Sequence, residues 1–298
     1  MKINFLLLVS YFLSPLAYGQ QGQARREIPA SWIAKLQKYD YKTSANELVR
    51  EFQTYIAPDS LTKFREEAFL SPMFVNLDED KEFEILLFIG GENSFGFYEP
   101  KFCVLKCINE KWLMLHNEYM YYHNQMPEMG IINQQTSNKL FYVQKLHGYG
   151  TGMFETRLHF YKLIDGVVYN CFEAVNEYKV SMVGIEELLK TTLSYGMDGS
   201  LFVKYQYSYS LEKATIVDVK EEFRYLWDKQ SKFYKAVFYP KDKINEDKIG
   251  YFLDHRKNAK KMLAVFKQEL DELAINGTEQ QKKALHIFLN PPKRNKKD

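Results

Sequence analysis

Between Glu82 and Pro240 the chain is a succession of short apolar runs broken by Gly, Asn and Asp. That rhythm excludes more folds than any other feature of the sequence. Runs of this length, rich in β-branched and aromatic residues, read as strands. The expected strands are 83–89, 97–108, 111–121, 139–147, 155–164, 167–178, 201–210, 214–220 and 222–239, the last open to a break into a hairpin. Three joins carry turn chemistry suited to hairpins: Asn109-Glu110, Asp165-Gly166 and Asp198-Gly199. Ile185 to Thr192 is the one helix expected inside this region, so strands and helices do not alternate as parallel βαβ units require. About nine strands are too few for a propeller, which needs at least about four four-stranded blades. An antiparallel meander in one or two sheets follows.

Helical patterns flank the strands. Ser44-Ala45-Asn46-Glu47 is a capping box ahead of Leu48, Val49, Phe52, Tyr55 and Ile56 at helical spacing. Pro58 ends that helix, and a second short one is expected through Leu61, Phe64, Arg65 and Ala68 before Pro72. Beyond the strands, Ile249, Phe252, Leu253, Ala259, Leu263, Phe266, Leu270 and Leu273 form an apolar stripe, with Asn276-Gly277 as its stop signal. A last helix is expected from Thr278 to Pro291, followed by a basic tail. The fold class is therefore α+β, predominantly antiparallel β. A helical lead-in (20–75) precedes the β domain (76–240), and C-terminal helices (241–290) pack on it.

The first nineteen residues read as a secretory signal peptide. Lys2 gives the positive start, Ile3 to Leu13 the apolar centre, and Ala17-Tyr18-Gly19 a small-x-small cleavage site before Gln20. The apolar run is too short to span a bilayer core of about 30 Å, so no transmembrane anchor is expected. The mature chain should be secreted or periplasmic. The formal net charge, +2 for the full sequence and therefore +1 once Lys2 is removed with the leader, gives no general argument for nucleic-acid binding.

The stretch Val75 to Gly91 reads V-N-L-D-E-D-K-E-F-E-I-L-L-F-I-G-G. Asn76, Asp78, Asp80 and Glu84 place side-chain oxygens at relative positions 1, 3, 5 and 9, and the carbonyl of Glu82 adds position 7. Such spacing lets a short loop wrap a hard cation like Ca²⁺, which takes six to eight oxygens at about 2.3–2.6 Å. An EF-hand is excluded, because Lys81 and Leu87 stand where that loop requires Gly and Glu. An acidic loop leading straight into an apolar strand resembles the calcium loops of FG-GAP and VCBS-type extracellular β repeats, and the resemblance covers residues 76–89. It implies a Ca²⁺ ligand set of Asn76, Asp78, Asp80, Glu82 and Glu84. Asn76 and Lys81 depart from the usual Asp and Gly, and the chain holds a single copy of the loop. The other reading is a solvated acidic turn at the mouth of a strand.

Of the three cysteines, Cys103 and Cys107 fall on one strand about 13 Å apart, too far to pair with each other. Either is free to pair with Cys171, leaving one thiol. The sequence contains no H-E-x-x-H, G-x-S-x-G, P-loop or dinucleotide motif. The glycine-rich His147–Gly152 segment has neither a following helix nor a lysine beside it, and reads as a hairpin tip. No spacing forces His116, His123, His147 and His159 together; His116 and His123, an odd number apart, would face opposite sides of a strand. The aromatic content of 16% suits strand packing. The leading expectation is a binding or structural module for an envelope or extracellular polymer or protein, with a calcium-stabilised loop. The alternative is an extracellular hydrolase of glycans or peptides with its site near Gly148–Gly152.

Overall fold

The computed structural model of the chain describes residues 26–40, 45–56, 68–78, 80–91, 100–120, 128–133, 139–237, 243–253 and 259–290. The signal segment, Ser44 of the capping box, most of the second expected helix and His123 lie outside them.

The first sheet is built from β1 (Arg26–Ile28), β2 (Ala68–Val75), β3 (Glu84–Gly91), β4 (Lys101–Ile108) and β5 (Lys111–Tyr119), in the order β1-β5-β4-β3-β2. All its pairings are antiparallel. The continuous apolar run of β3 is buried along its whole length. Period-2 alternation explains this, because each of its faces meets a different core. Ile85, Leu87 and Ile89 join Cys103, Leu105 and Met114 beneath α1 (Ala30–Gln37) and α2 (Asn46–Ile56). The rings of Trp32 of α1 and Phe52 of α2 meet tilted, 4.5 Å apart, and the Trp32 indole donates to Leu48 O at 3.0 Å. On the opposite face Leu86 and Phe88, with Phe102 and Val104, meet the second sheet.

The second sheet is a meander of eight strands: β6 (Met129–Ile131), β7 (Phe141–Gly150), β8 (Met153–Ile164), β9 (Val167–Met182), β10 (Ile185–Tyr195), β11 (Leu201–Leu211), β12 (Ala214–Asp228) and β13 (Phe233–Ala236). Phe141, Val143, Tyr161, Leu163 and Val168 supply its half of the inter-sheet core. The long strands curl. Phe172 of β9 lies 4.7 Å from Tyr225 of β12 and 6.4 Å from Tyr234 of β13, although those strands are three and four places away in the sheet. Helices α3 (Lys243–Leu253), α4 (Ala259–Val265), α5 (Lys267–Asn276) and α6 (Glu279–Leu289) pack into the concave face. Phe252 stacks on Tyr205 at 4.8 Å, Phe266 on Tyr207 at 5.4 Å, and the hydroxyls of Tyr207 and Tyr251 meet at 2.9 Å.

Turn chemistry accounts for the register. Asn109-Glu110 has both residues at positive φ, as does Asp165-Gly166, which is the twist that two-residue hairpins favour. Glu212-Lys213 adopts the same conformation without Gly or Asn.

Several expectations are corrected. Ile185–Thr192 is not a helix but part of β10, paired on both sides. Its helix-forming composition yields to the turn at Gly184 (φ 76°) and to two long neighbours already in place. The end of the helical lead-in is instead β2, an edge strand that tolerates Pro72 because its outer side needs no N–H donor. Strand β12 runs unbroken where two strands were expected, and the hairpin break falls after Asp228. No disulfide forms: Cys103, Cys107 and Cys171 are all free, and the two buried ones sit in separate cores.

Candidate functional site

Two constellations of charged residues lie on the inter-sheet face. The first is the acidic loop between β2 and β3. Glu84 shares a face with Leu86, and Lys106 of β4 shares one with Val104, so period 2 delivers both to the rim of the inter-sheet core. Glu84 is fully buried. Asp78 and Asp80 fold back over it through short turns in which Asp80 N donates to Asp78 Oδ1 (3.1 Å) and Glu82 N to Asp80 Oδ1 (2.9 Å). Leu77 N donates to Glu84 Oε2 at 2.6 Å.

Asp78, Asp80 and Glu84 thus converge, each offering a carboxylate oxygen within 4.8 Å of the others. The ammonium of Lys106 donates to all three, at 2.9 Å to Asp78, 2.6 Å to Asp80 and closest to Glu84. Asn76 aims its amide nitrogen at the carbonyl oxygens of Glu82 (2.9 Å) and Asp80, while the side chain of Glu82 is exposed. A second ammonium, that of Lys139, donates to Asn76 O at 2.6 Å. The hydrogen bond from Lys106 holds the Asp80 carboxyl below its usual range, and burial raises Glu84. Burial works against the charge on Lys106, but the three carboxylates outweigh it and hold the ammonium above its ordinary pKa.

The second constellation spans β5, β7, β8 and β9. Register places Lys145 beside Arg157 and His159 beside Glu173, and bulges at Thr156/Arg157 and Phe160/Tyr161 re-aim the side chains of β8. A bulge in the β4–β5 pairing does the same beside His116. Glu118 accepts from the Tyr161 hydroxyl at 2.7 Å and from Lys145 at 2.7 Å, with His116 Nε2 3.6 Å away. Arg157 donates to Glu155 at 2.9 Å and to Glu173, and His159 Nδ1 lies 3.6 Å from Glu173. Neither His116 Nε2 nor His159 Nδ1 reaches water or a hydrogen-bond partner.

These groups are electrostatically shifted. Burial would raise Glu118, but His116 and Lys145 overcome it and bring its carboxyl down to about 2. Burial, aided by Lys145, lowers His159 to about 4. Burial and the facing Glu118 push the Tyr161 hydroxyl well above its usual value. Sequence spacing did not single this cluster out. The signal was the polar stripe Arg157, His159, Tyr161, with Lys145 and His147 across the hairpin, on a face otherwise apolar.

The Gly148–Gly152 segment forms the end of β7 and its turn. Gly152 sits at φ 77° against Ser181 O, where a Cβ has no room. Tyr149 and Val183 stand exposed on that tip and the next.

No helix among the described residues is long and apolar enough to cross a membrane. No family model, no curated protein and no solved structure matches this chain.

Proposed function

We propose that this protein is an exported, non-catalytic module that binds or anchors envelope or extracellular material. The carrying observation is the direction in which the inter-sheet cluster is tuned. General acid–base catalysis near neutral pH works best with groups whose pKa lies near that pH. Here Glu118 is drawn down to about 2, His159 down to about 4, and Tyr161 far upward. Each shift leads away from neutrality, so the carboxylate is a poor base, the imidazole stays neutral and the phenol stays protonated. Glu118 is further engaged by Lys145 and Tyr161, and Arg157 is held between Glu155 and Glu173. Such a network fits the role of tying β5 to β7, β8 and β9 better than that of turning over a substrate. The export half of the proposal rests on the leader motif at residues 1–19.

The test is turnover. Purified mature protein and its Glu118→Gln variant are incubated with chromogenic glycosides, esters and peptide libraries. Both are expected to leave these substrates unchanged; turnover by the wild type that Glu118→Gln abolishes would establish a hydrolase instead. Export is read separately by mass spectrometry of protein expressed with its own leader. The expected mature N-terminus is Gln20, and an unprocessed chain retained in the cytoplasm would remove that half.

A further inference from the structure

The spacing of Asn76, Asp78, Asp80, Glu82 and Glu84 implies a Ca²⁺ loop, and whether these residues suit a metal is decided by where their oxygens point. Each of the three converging carboxylates spends one oxygen on the backbone. Asp78 Oδ1 accepts from Asp80 N, Asp80 Oδ1 from Glu82 N, and Glu84 Oε2 from Leu77 N. The remaining three oxygens, Asp78 Oδ2, Asp80 Oδ2 and Glu84 Oε1, all accept from Lys106 Nζ. A lysine ammonium carries three N–H donors and no acceptor, so donors and acceptors match one for one.

Two of the ligands expected from the spacing also take part in the loop's own hydrogen bonding. Asn76 directs N–H groups at the loop's own carbonyls, and one of these is the Glu82 carbonyl, the expected position-7 oxygen. A divalent ion at the common centre of the carboxylates would lie against the Lys106 ammonium, whose side chain is only 8% exposed and has little water to retreat into. The residues do not fit a bound Ca²⁺ while Lys106 is in place.

We propose that the ammonium of Lys106 takes the position that a hard cation occupies in loops of this spacing, so that the loop closes without metal. The sequence keeps the oxygen pattern of a cation loop, and a side chain from the neighbouring strand supplies the charge. Removing that side chain should therefore uncover a divalent-cation site. This inference is independent of how the Glu118 cluster is read.

The experiment compares mature wild-type protein with Lys106→Met, which keeps most of the aliphatic stem and removes the charge. Each is followed by thermal melting in Ca²⁺ and in EDTA, and by calorimetric titration with Ca²⁺. The wild type is expected to titrate without saturable heat and to melt at the same temperature in Ca²⁺ and EDTA. Lys106→Met is expected to melt lower in EDTA, recover in millimolar Ca²⁺, and bind Ca²⁺ saturably in a way that Asp78→Asn abolishes. Saturable Ca²⁺ binding by the wild type with a rise in Tm overturns the proposal, as does a folded Lys106→Met that ignores Ca²⁺. If Lys106→Met does not fold in either buffer, the wild-type arm decides: Ca²⁺ uptake refutes the inference, and indifference to both Ca²⁺ and EDTA supports it.

Discussion

Lys106 and Glu84 show how much a single contact can matter once both partners leave water. Glu84 is fully buried and Lys106 nearly so, and removing one member of such a pair strands the other charge at a cost of about 3–5 kcal/mol. Lys106→Met should therefore lower unfolding stability in metal-free urea titrations by about that amount. Replacing both, as Lys106→Met with Glu84→Leu, should recover much of the loss, because Asp78 and Asp80 still reach solvent. Equal midpoints for the single and double variants would show that the pair is not coupled. The oxygen spacing of this loop was legible in the sequence, and Asp78, Asp80 and Glu84 do converge. The cation was not, because Lys106 lies 22 positions beyond Glu84 and reaches it only through β3–β4 pairing. Local patterns display loop geometry; they do not display what a neighbouring strand inserts into it.

At the level of elements, the charged network between the sheets predicts how stability responds to acid. His159 has a folded-state pKa of about 4 against an ordinary 6.5, so it prefers to be neutral in the fold. Its contribution is fully present above pH 6.5 and is lost as pH falls from there through 4. Glu118, lowered from 4.5 to about 2, contributes above pH 4.5 and loses that contribution as pH falls through 2. Both act in the same direction, each worth about 1–3 kcal/mol once partial solvent access is allowed for. Urea titrations from pH 7 to 3 should show falling stability. Glu118→Gln should flatten the curve below pH 4.5, and His159→Gln above pH 4; variants whose curves run parallel to wild type would rule out these two groups as the cause. Element type was mostly readable where turn residues punctuated the chain, as at Asn109-Glu110 and Asp165-Gly166. It failed at Ile185–Thr192, where Ile185, Leu188 and Leu189 mimic helical spacing while the neighbouring strands β9 and β11 impose a sheet.

For the whole molecule, the α+β architecture dominated by antiparallel strands could be read from the sequence, but the curl of the long sheet could not. That curl depends on pairs such as Phe172 with Tyr225, which no local periodicity reports. The thiols follow from the same layering. Cys103 lies beneath α1 and α2 and Cys171 in the concave core, each raised by burial, Cys103 to about 12. Native protein treated with iodoacetamide should take one adduct, at the partly exposed Cys107, and denatured protein three. Reducing agents should leave Tm unchanged; a drop on reduction would reveal a bond between thiols that this arrangement keeps apart.

The helices that fill the hollow of the curled sheet follow every one of its strands in the chain. Until residues 243–290 are available, Tyr205, Tyr207 and their neighbours line an open trough with no lid. Domains are assembled from the N-terminal side as synthesis proceeds. The first sheet and its two helices can therefore close early, whereas the second sheet is completed only when these four helices arrive.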